Sequence, residues 1–186
     1  MTVVALAGRR IDAADAKSPR FPRANAAIVQ ERIRRELERL AAGALVCSAA
    51  CGADLVALAA AAALGLKRRV VLPFAEARFR ETSVVDRGAE WGPRFDQVVA
   101  ELRGLDDLVT LHAGSVDRDD ADEEAGYAAA NTRILDEAQS VAARTGAGVV
   151  AVLVWEGESR GTDDLTEAFG REARVRRLPV VEVLTR

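Results

Sequence analysis

Apolar residues along this chain follow two rhythms that alternate with one another. Short solid runs of β-branched and leucine residues, bounded by breakers, recur at Thr2–Ala7, Ala44–Ser48, Arg69–Leu72, Leu108–Leu111, Val149–Trp155 and Pro179–Leu184. Runs that are apolar on both faces are the pattern of strands buried inside a parallel sheet. Between them the spacing changes to that of a helix. Val29, Ile33, Leu37 and Leu40 form one stripe over Asn25–Ala42, and Tyr127, Ile134, Ala138 and Val141 form another over Asp120–Arg144. Leu165, Ala168, Phe169 and Ala173 repeat the pattern near the C-terminus, while Leu55–Leu66 is apolar almost throughout. Gly65 and Gly146 stand where helix C-caps are expected. Strand alternating with helix predicts an α/β fold. It is a single Rossmann-like three-layer domain over residues 1–186, with a mostly parallel sheet of about six strands. Only Ala75–Gly92 and Ala113–Asp119 read as long connections.

Sheets of this kind bind ligands beyond the carboxyl ends of their strands, where strand order reverses. That rule selects Gly8, Arg9 and Arg10 after the first strand and the turn Ser48-Ala49-Ala50-Cys51-Gly52-Ala53-Asp54 after the second. After the third come Arg78, Arg80, Arg87 and Arg94, and after the fifth come Trp155, Glu156 and the loop Gly157–Asp164. The Ser48–Asp54 turn has almost no side-chain bulk. Either backbone approaches backbone there, or a ligand approaches the open N–H groups of the following helix.

Composition narrows the choice. The 186 residues carry a net charge of −3 with both signs interspersed, so no global field draws the chain to nucleic acid. The acidic balance and single tyrosine also argue against single-stranded DNA. No apolar run has the length and flanks of a membrane span, and Thr2–Ala7 has no basic leader. Cys47 and Cys51 are the only cysteines and lack a clustered His, so neither a disulfide nor a zinc site is expected. A reduced cytoplasmic protein is the expectation, with His112 structural. The acidic run from Asp117 to Glu124 lacks the spacing of a calcium loop and reads as a solvated helix entrance.

Gly8-Arg9-Arg10, the Ser48–Asp54 turn and Gly157–Asp164, in this element order, resemble the SLOG superfamily of Rossmann-like domains. That superfamily includes the LOG (lysine decarboxylase-like) phosphoribohydrolases and DNA-processing protein A. The resemblance implies a nucleotide or nucleotide-derived ligand, bound by a sensor or handling protein. The alternative it implies is an N-glycosidase that releases a base from a nucleoside monophosphate. LOG enzymes carry Pro-Gly-Gly-x-Gly-Thr-x-x-Glu with a catalytic Glu. Here Gly161-Thr162 matches the Gly-Thr, but Leu165 takes the Glu position, Glu158 and Ser159 replace the glycine pair, and Gly157 replaces the Pro. The resemblance also implies a homodimer; a divalent metal enters only through Asp163 and Asp164, whose charge suits a phosphate bridged by a metal ion. No protein-held metal is expected.

The ligand-binding candidates are Gly8, Arg9, Arg10, Ser48, Cys51, Gly52, Asp54, Asn131, Gly157, Ser159, Gly161, Thr162 and Asp163. The acids Asp54, Glu156 and Asp164 are the candidates for chemistry. Each has a plainer reading. Arg9 and Arg10 suit phosphate, or pair on the surface with Asp12 or Asp15. Asp54 balances a helix dipole or accepts from a ribose hydroxyl. Gly157–Asp164 holds a ligand, or ends in an N-cap at Thr162 or Asp163. Asn131, on an apolar stripe four residues after Tyr127, needs a partner that is either a loop carbonyl or a ligand. Trp155 stacks on a base or packs in the core. The resemblance implies a phosphate at the Gly161-Thr162 turn, whereas Asp163 and Asp164 each repel a bare phosphate by about 1 kcal/mol, and charge favours a phosphate near Arg9, Arg10 and the Ser48–Gly52 turn.

Overall fold

Six runs of Val, Leu and Ala form six strands: β1 (Thr2–Gly8), β2 (Ala42–Cys47), β3 (Lys67–Phe74), β4 (Leu108–His112), β5 (Gly148–Trp155) and β6 (Val180–Leu184). They differ from the predicted spans by one or two residues at their ends. The computed structural model describes residues 1–112 and 120–186, and the side chains of all of these except 120–122. The strands form one sheet in the order β4-β3-β2-β1-β5-β6, with every neighbouring pair parallel. Strand order reverses between β1 and β5, which is the switch point of the sheet. This is the α/β, Rossmann-like three-layer architecture that the alternating rhythms predict.

The helices are α1 (Ala26–Arg39), α2 (Ala53–Ala63), α3 (Glu76–Ser83), α4 (Gly92–Arg103), α5 (Asp120–Thr145) and α6 (Leu165–Val175). Successive strand residues point to opposite faces, so each strand feeds two cores. Val4, Leu6, Leu45 and Leu72 pack with Val29 and Ile33 of α1, the buried side of α2 and Phe95 of α4. Val3, Ala5, Val46 and Leu153 pack with Ile134 and Ala138 of α5 and Phe169 of α6. α2 touches both α1 and α4 and is buried on nearly every side, which explains its uniformly apolar sequence. Gly65 and Gly146 follow α2 and α5 with φ of 66° and 65°, the left-handed conformation of a helix end.

One expectation is corrected. Ala75–Gly92 is not an open connection: it contains α3 and two 3-10 turns, Val85–Arg87 and Ala89–Trp91. Charged residues fill α3, and its one large apolar side chain, Phe79, reaches the core, so its sequence carries almost no helical stripe. α4 does carry one, at Phe95, Val98, Val99 and Leu102. The connection Ala113–Asp119 and the acidic side chains from Asp117 to Asp122 lie outside the described residues. No helix among the described residues is long and apolar enough to cross a membrane.

Candidate functional site

At the end of β1 two consecutive arginines turn to opposite sides. Gly8 makes the crowding there tolerable: a Cβ on it would stand 2.5 Å from the Ala53 Cβ and 2.6 Å from the Val154 carbonyl. Arg9 leans toward β5 and α6. Its Nη1 and Nη2 each donate to one oxygen of Asp164 at 2.7 Å, its Nε donates to Glu156 at 2.6 Å, and Nη2 also reaches the Glu158 carbonyl at 3.0 Å. The guanidinium lies 5.7 Å from the Trp155 ring centre. Burial opposes the Arg9 charge, but hydrogen bonds from Asp164 and Glu156 outweigh it and hold the cation above its usual range.

Asp164 is the N-cap of α6, the position expected for Thr162 or Asp163. Its carboxylate accepts from Thr166 N at 3.0 Å and Glu167 N at 3.1 Å, and from Arg160 N at 2.8 Å. Burial pushes this carboxyl up, yet Arg9 and the backbone donors overcome it and hold it far below the usual carboxylate range. Glu156 also binds Arg20 at 2.9 Å, and is likewise held low by Arg9 and Arg20 against its burial. Three arginines therefore face two buried carboxylates. The surplus falls on Arg160, whose Nε is 3.8 Å from an Asp164 oxygen that Arg9 and the Arg160 amide already occupy. Burial, then repulsion from Arg9, with Arg20 adding to it, lowers the affinity of Arg160 for its proton despite Asp164. Among the described residues, that guanidinium has no carboxylate except the Asp164 it shares with Arg9.

The opposite side, around the Ser48–Asp54 turn, is held by backbone. Gly52 has φ 103°, and a Cβ on it would stand 2.6 Å from Ile11 N and 2.7 Å from the Arg9 carbonyl. Ile11 N donates to the Cys51 carbonyl at 3.2 Å, Cys51 N to the Ser83 carbonyl at 3.0 Å, and Ala53 N to the Arg9 carbonyl at 3.0 Å. Ala50 N donates to Asp54 Oδ2 at 3.1 Å. Small residues here let backbone meet backbone, and the amides of Ala50, Cys51 and Ala53 are spent inside the protein. Asp54 is 7 % exposed. Burial pushes its carboxyl up to about 7, against the Ala50 amide and the Arg10 charge.

Between the two sides lies a cleft of about 440 Å³. Of the expected ligand residues, Gly8, Arg9, Arg10, Ser48, Asp54 and Asn131 line it. Cys51 and Gly52 lie behind its surface, and Gly157, Ser159, Gly161, Thr162 and Asp163 lie on the exposed outside of their loop. That loop satisfies itself: Gly161 N donates to Ser159 Oγ at 3.0 Å, and Ser159 Oγ bonds to Glu167. Glu156 and Asp164 stand behind Arg9. Asn131 Nδ2 donates to the Leu165 carbonyl at 2.9 Å, so its loop-carbonyl partner is present. Tyr127 bonds Ser83 Oγ at 2.7 Å and meets the Phe74 ring edge-on. Trp155 is packed, donating to Glu182 at 3.0 Å. Of the four arginines expected after β3, Arg87 lines the cleft. Arg80 pairs with Asp96, while Arg78 and Arg94 lie over Phe74 and Trp91.

Arg20, Ser83 and Arg160 line the cleft without having been singled out by sequence. Arg160 could have been found as the one cation inside the Gly157–Asp164 loop. Arg20 and Ser83 carry no local signal, because long-range contacts place them. Asp12 accepts from both Arg20 N and Phe21 N, and Phe21 is fully buried, anchoring the end of the loop that carries Arg20. Burying such a side chain contributes about 2–3 kcal/mol. Two side-chain atoms of the cleft residues, Ser48 Oγ and Arg10 Nε, are buried without a hydrogen-bond partner among the described residues. Among those residues, no group of three or more His, Cys, Asp or Glu is placed to hold a metal ion.

Fold and cleft together define a Rossmann-like α/β protein with a ligand-sized, cation-bearing cleft at its topological switch point. No protein-family model matches the chain, and no curated protein matches it.

Proposed function

We propose that this protein binds a nucleotide or nucleotide-derived small molecule in the switch-point cleft, as a sensor or handling protein. The observation that carries this reading is the arginine surplus: among the described residues, Arg9, Arg20 and Arg160 share two carboxylates, Glu156 and Asp164. A phosphate between Arg20 and Arg160 supplies the missing anion, since arginine suits phosphate oxygens geometrically as well as by charge. The resemblance to SLOG domains also favours the β5–α6 side. Asp164 already caps α6, so arginine side chains rather than free helix N–H groups take the phosphate. Sugar and base then lie against Tyr127, Asn131 and Asp54. The cleft volume falls in the usual range for small-molecule sites.

Thermal shifts against nucleoside mono-, di-, tri- and cyclic phosphates test the reading. A ligand at about 100 times its Kd stabilises by about 2.7 kcal/mol, roughly 5–10 °C for a chain of this size. Arg160→Gln is expected to weaken binding about tenfold while leaving the unliganded Tm nearly unchanged. A flat panel at saturating concentration sinks the proposal.

A second reading, cleavage of the N-glycosidic bond, draws support from Asp54. A buried carboxyl that keeps its proton near neutral pH suits a general acid, and it would stand in for the glutamate that Leu165 replaces. The Asp54 proton passes to the leaving base nitrogen as the bond to the anomeric carbon breaks. Water adds to that carbon, and its released proton restores Asp54. Base release is expected to fall as pH rises past about 7 and to vanish in Asp54→Asn, with ligand binding retained. Base release undiminished in that variant rules Asp54 out.

A further inference from the structure

We infer that the cleft holds a second anion seat, at Arg10 and Arg87, so that its ligand carries two separated anionic groups. This inference rests on the nucleotide-binding reading above and narrows the ligand class. It concerns the side of the cleft away from Arg160. Arg9 turns to Glu156 and Asp164, whereas Arg10 turns to Asp86, in the 3-10 turn after α3. Asp86 serves two cations: one oxygen pairs with Arg10, and the other lies 3.3 Å from Arg87 Nε. Two guanidinium groups thus share one carboxylate. All three side chains are about one-third exposed, and both arginines line the cleft.

The pairing also leaves donors unused. Among the described residues, Arg10 Nε is buried without an acceptor and Ser48 Oγ on the same cleft is buried without a partner. Asp86 offers two oxygens, and each already faces one of the two arginines. A phosphate offers three, enough to bridge both arginines and to accept from one further donor. Asp86 stands where that phosphate would sit, on a short 3-10 turn, and displacing it would cost two partly exposed ion pairs. With a first anion at Arg20 and Arg160, the two seats lie on opposite sides of the sugar. They fit a nucleoside bisphosphate or a dinucleotide better than a monophosphate.

Titration calorimetry on the full chain decides this with three probes: adenosine monophosphate, an adenosine bisphosphate with one phosphate on each side of the ribose, and fructose bisphosphate. The adenosine bisphosphate is expected to bind about tenfold or more tighter than the monophosphate. Arg87→Gln is expected to erase that advantage. Asp86→Asn removes the competing carboxylate and is expected to widen it. An equal affinity for the two nucleotides, or an advantage that survives Arg87→Gln, overturns the second seat while leaving the nucleotide reading intact. Binding of fructose bisphosphate alone, lost in Arg87→Gln, keeps the two seats and overturns the nucleotide reading. Binding of none of the three overturns both.

Discussion

Asp164 and Asp54 each stand at the start of a helix facing the same cleft, yet the protein treats them in opposite ways. Asp164 caps α6, takes both terminal nitrogens of Arg9 and is held strongly ionised. Asp54, in the first turn of α2, is also buried but accepts a single hydrogen bond among the described residues, from the Ala50 amide, and its carboxyl rises to about 7. One side of the cleft is held by paired charge and the other by backbone contact. Burial alone therefore does not decide what a buried acid does. The number of donors aimed at it decides, and those donors separate a fastening from a group free to exchange a proton.

The largest test of the contrast is Asp164→Ala. It strands Arg9 and removes a helix cap, and breaking a buried pair from one side costs about 3–5 kcal/mol, read from urea unfolding. Because this variant risks not folding, Asp164→Asn serves beside it. It retains the oxygen that caps α6 but loses the charge and the acceptor that Arg9 Nη2 and the Arg160 amide share, so a loss smaller than that of Asp164→Ala is expected. Stability equal to the parent in both variants would mean that Arg9 and Asp164 fasten nothing.

The same Asp→Asn change at position 54 is expected to act with the opposite sign. A carboxyl whose folded value is raised holds its proton more tightly in the folded state than in the unfolded one. Folded stability therefore drops as pH climbs from the ordinary carboxylate range to about 7, then stays at the lower level. Asn carries no charge, and its oxygen still accepts from Ala50. Asp54→Asn should thus gain stability above pH 7, by at most about 4 kcal/mol for a shift of roughly three units. The gain shrinks on acidification and disappears near the ordinary carboxylate value. A gain that does not vary with pH would mean that Asp54 is not the titrating group. For Asp164 the linkage runs the other way: its contribution is present at neutral pH and is lost only in strong acid, as pH falls through its lowered value.

Gly52→Ala is the smallest of these effects and probes the backbone-held side. The new Cβ would meet Ile11 N and the Arg9 carbonyl, at a φ that L residues rarely adopt. A loss of about 1–3 kcal/mol is expected, measured as a Tm shift, with the pH dependence owed to Asp54 displaced. A neutral result would mean that the turn has slack, and that its small residues serve something other than close approach.

Most of the fold could be read from the sequence because it depends on local periodicity. The six apolar runs and the glycines at 65 and 146 each report their own conformation within a few neighbours. α3 escaped because tertiary contact at Phe79, rather than a stripe, holds it in place. The cleft was legible as a location, since the strand ends are known once the strands are. Its chemistry was less so. Arg9 reads as a free phosphate ligand until Glu156 and Asp164, about 150 residues away in sequence, are seen around it. The Ser48–Asp54 turn offers open N–H groups on paper, but the carbonyls of Arg9 and Ser83 claim two of them. Pairing across long sequence separations is the information that a local pattern does not hold.

The divergence of Arg9 and Arg10 has a consequence for how this chain tolerates change. Strand geometry sends alternate residues to alternate sides, and at the exit of β1 that alternation sorts one guanidinium to each flank of the cleft. What distinguishes them is parity: both are arginine, and only odd or even position assigns their duties. Exchanging either side chain would alter one flank. Inserting or deleting a single residue between Gly8 and Ile11 would swap the two assignments at once, leaving Asp164 without its counter-ion. The count of residues in this short segment is thus under tighter constraint than their identity.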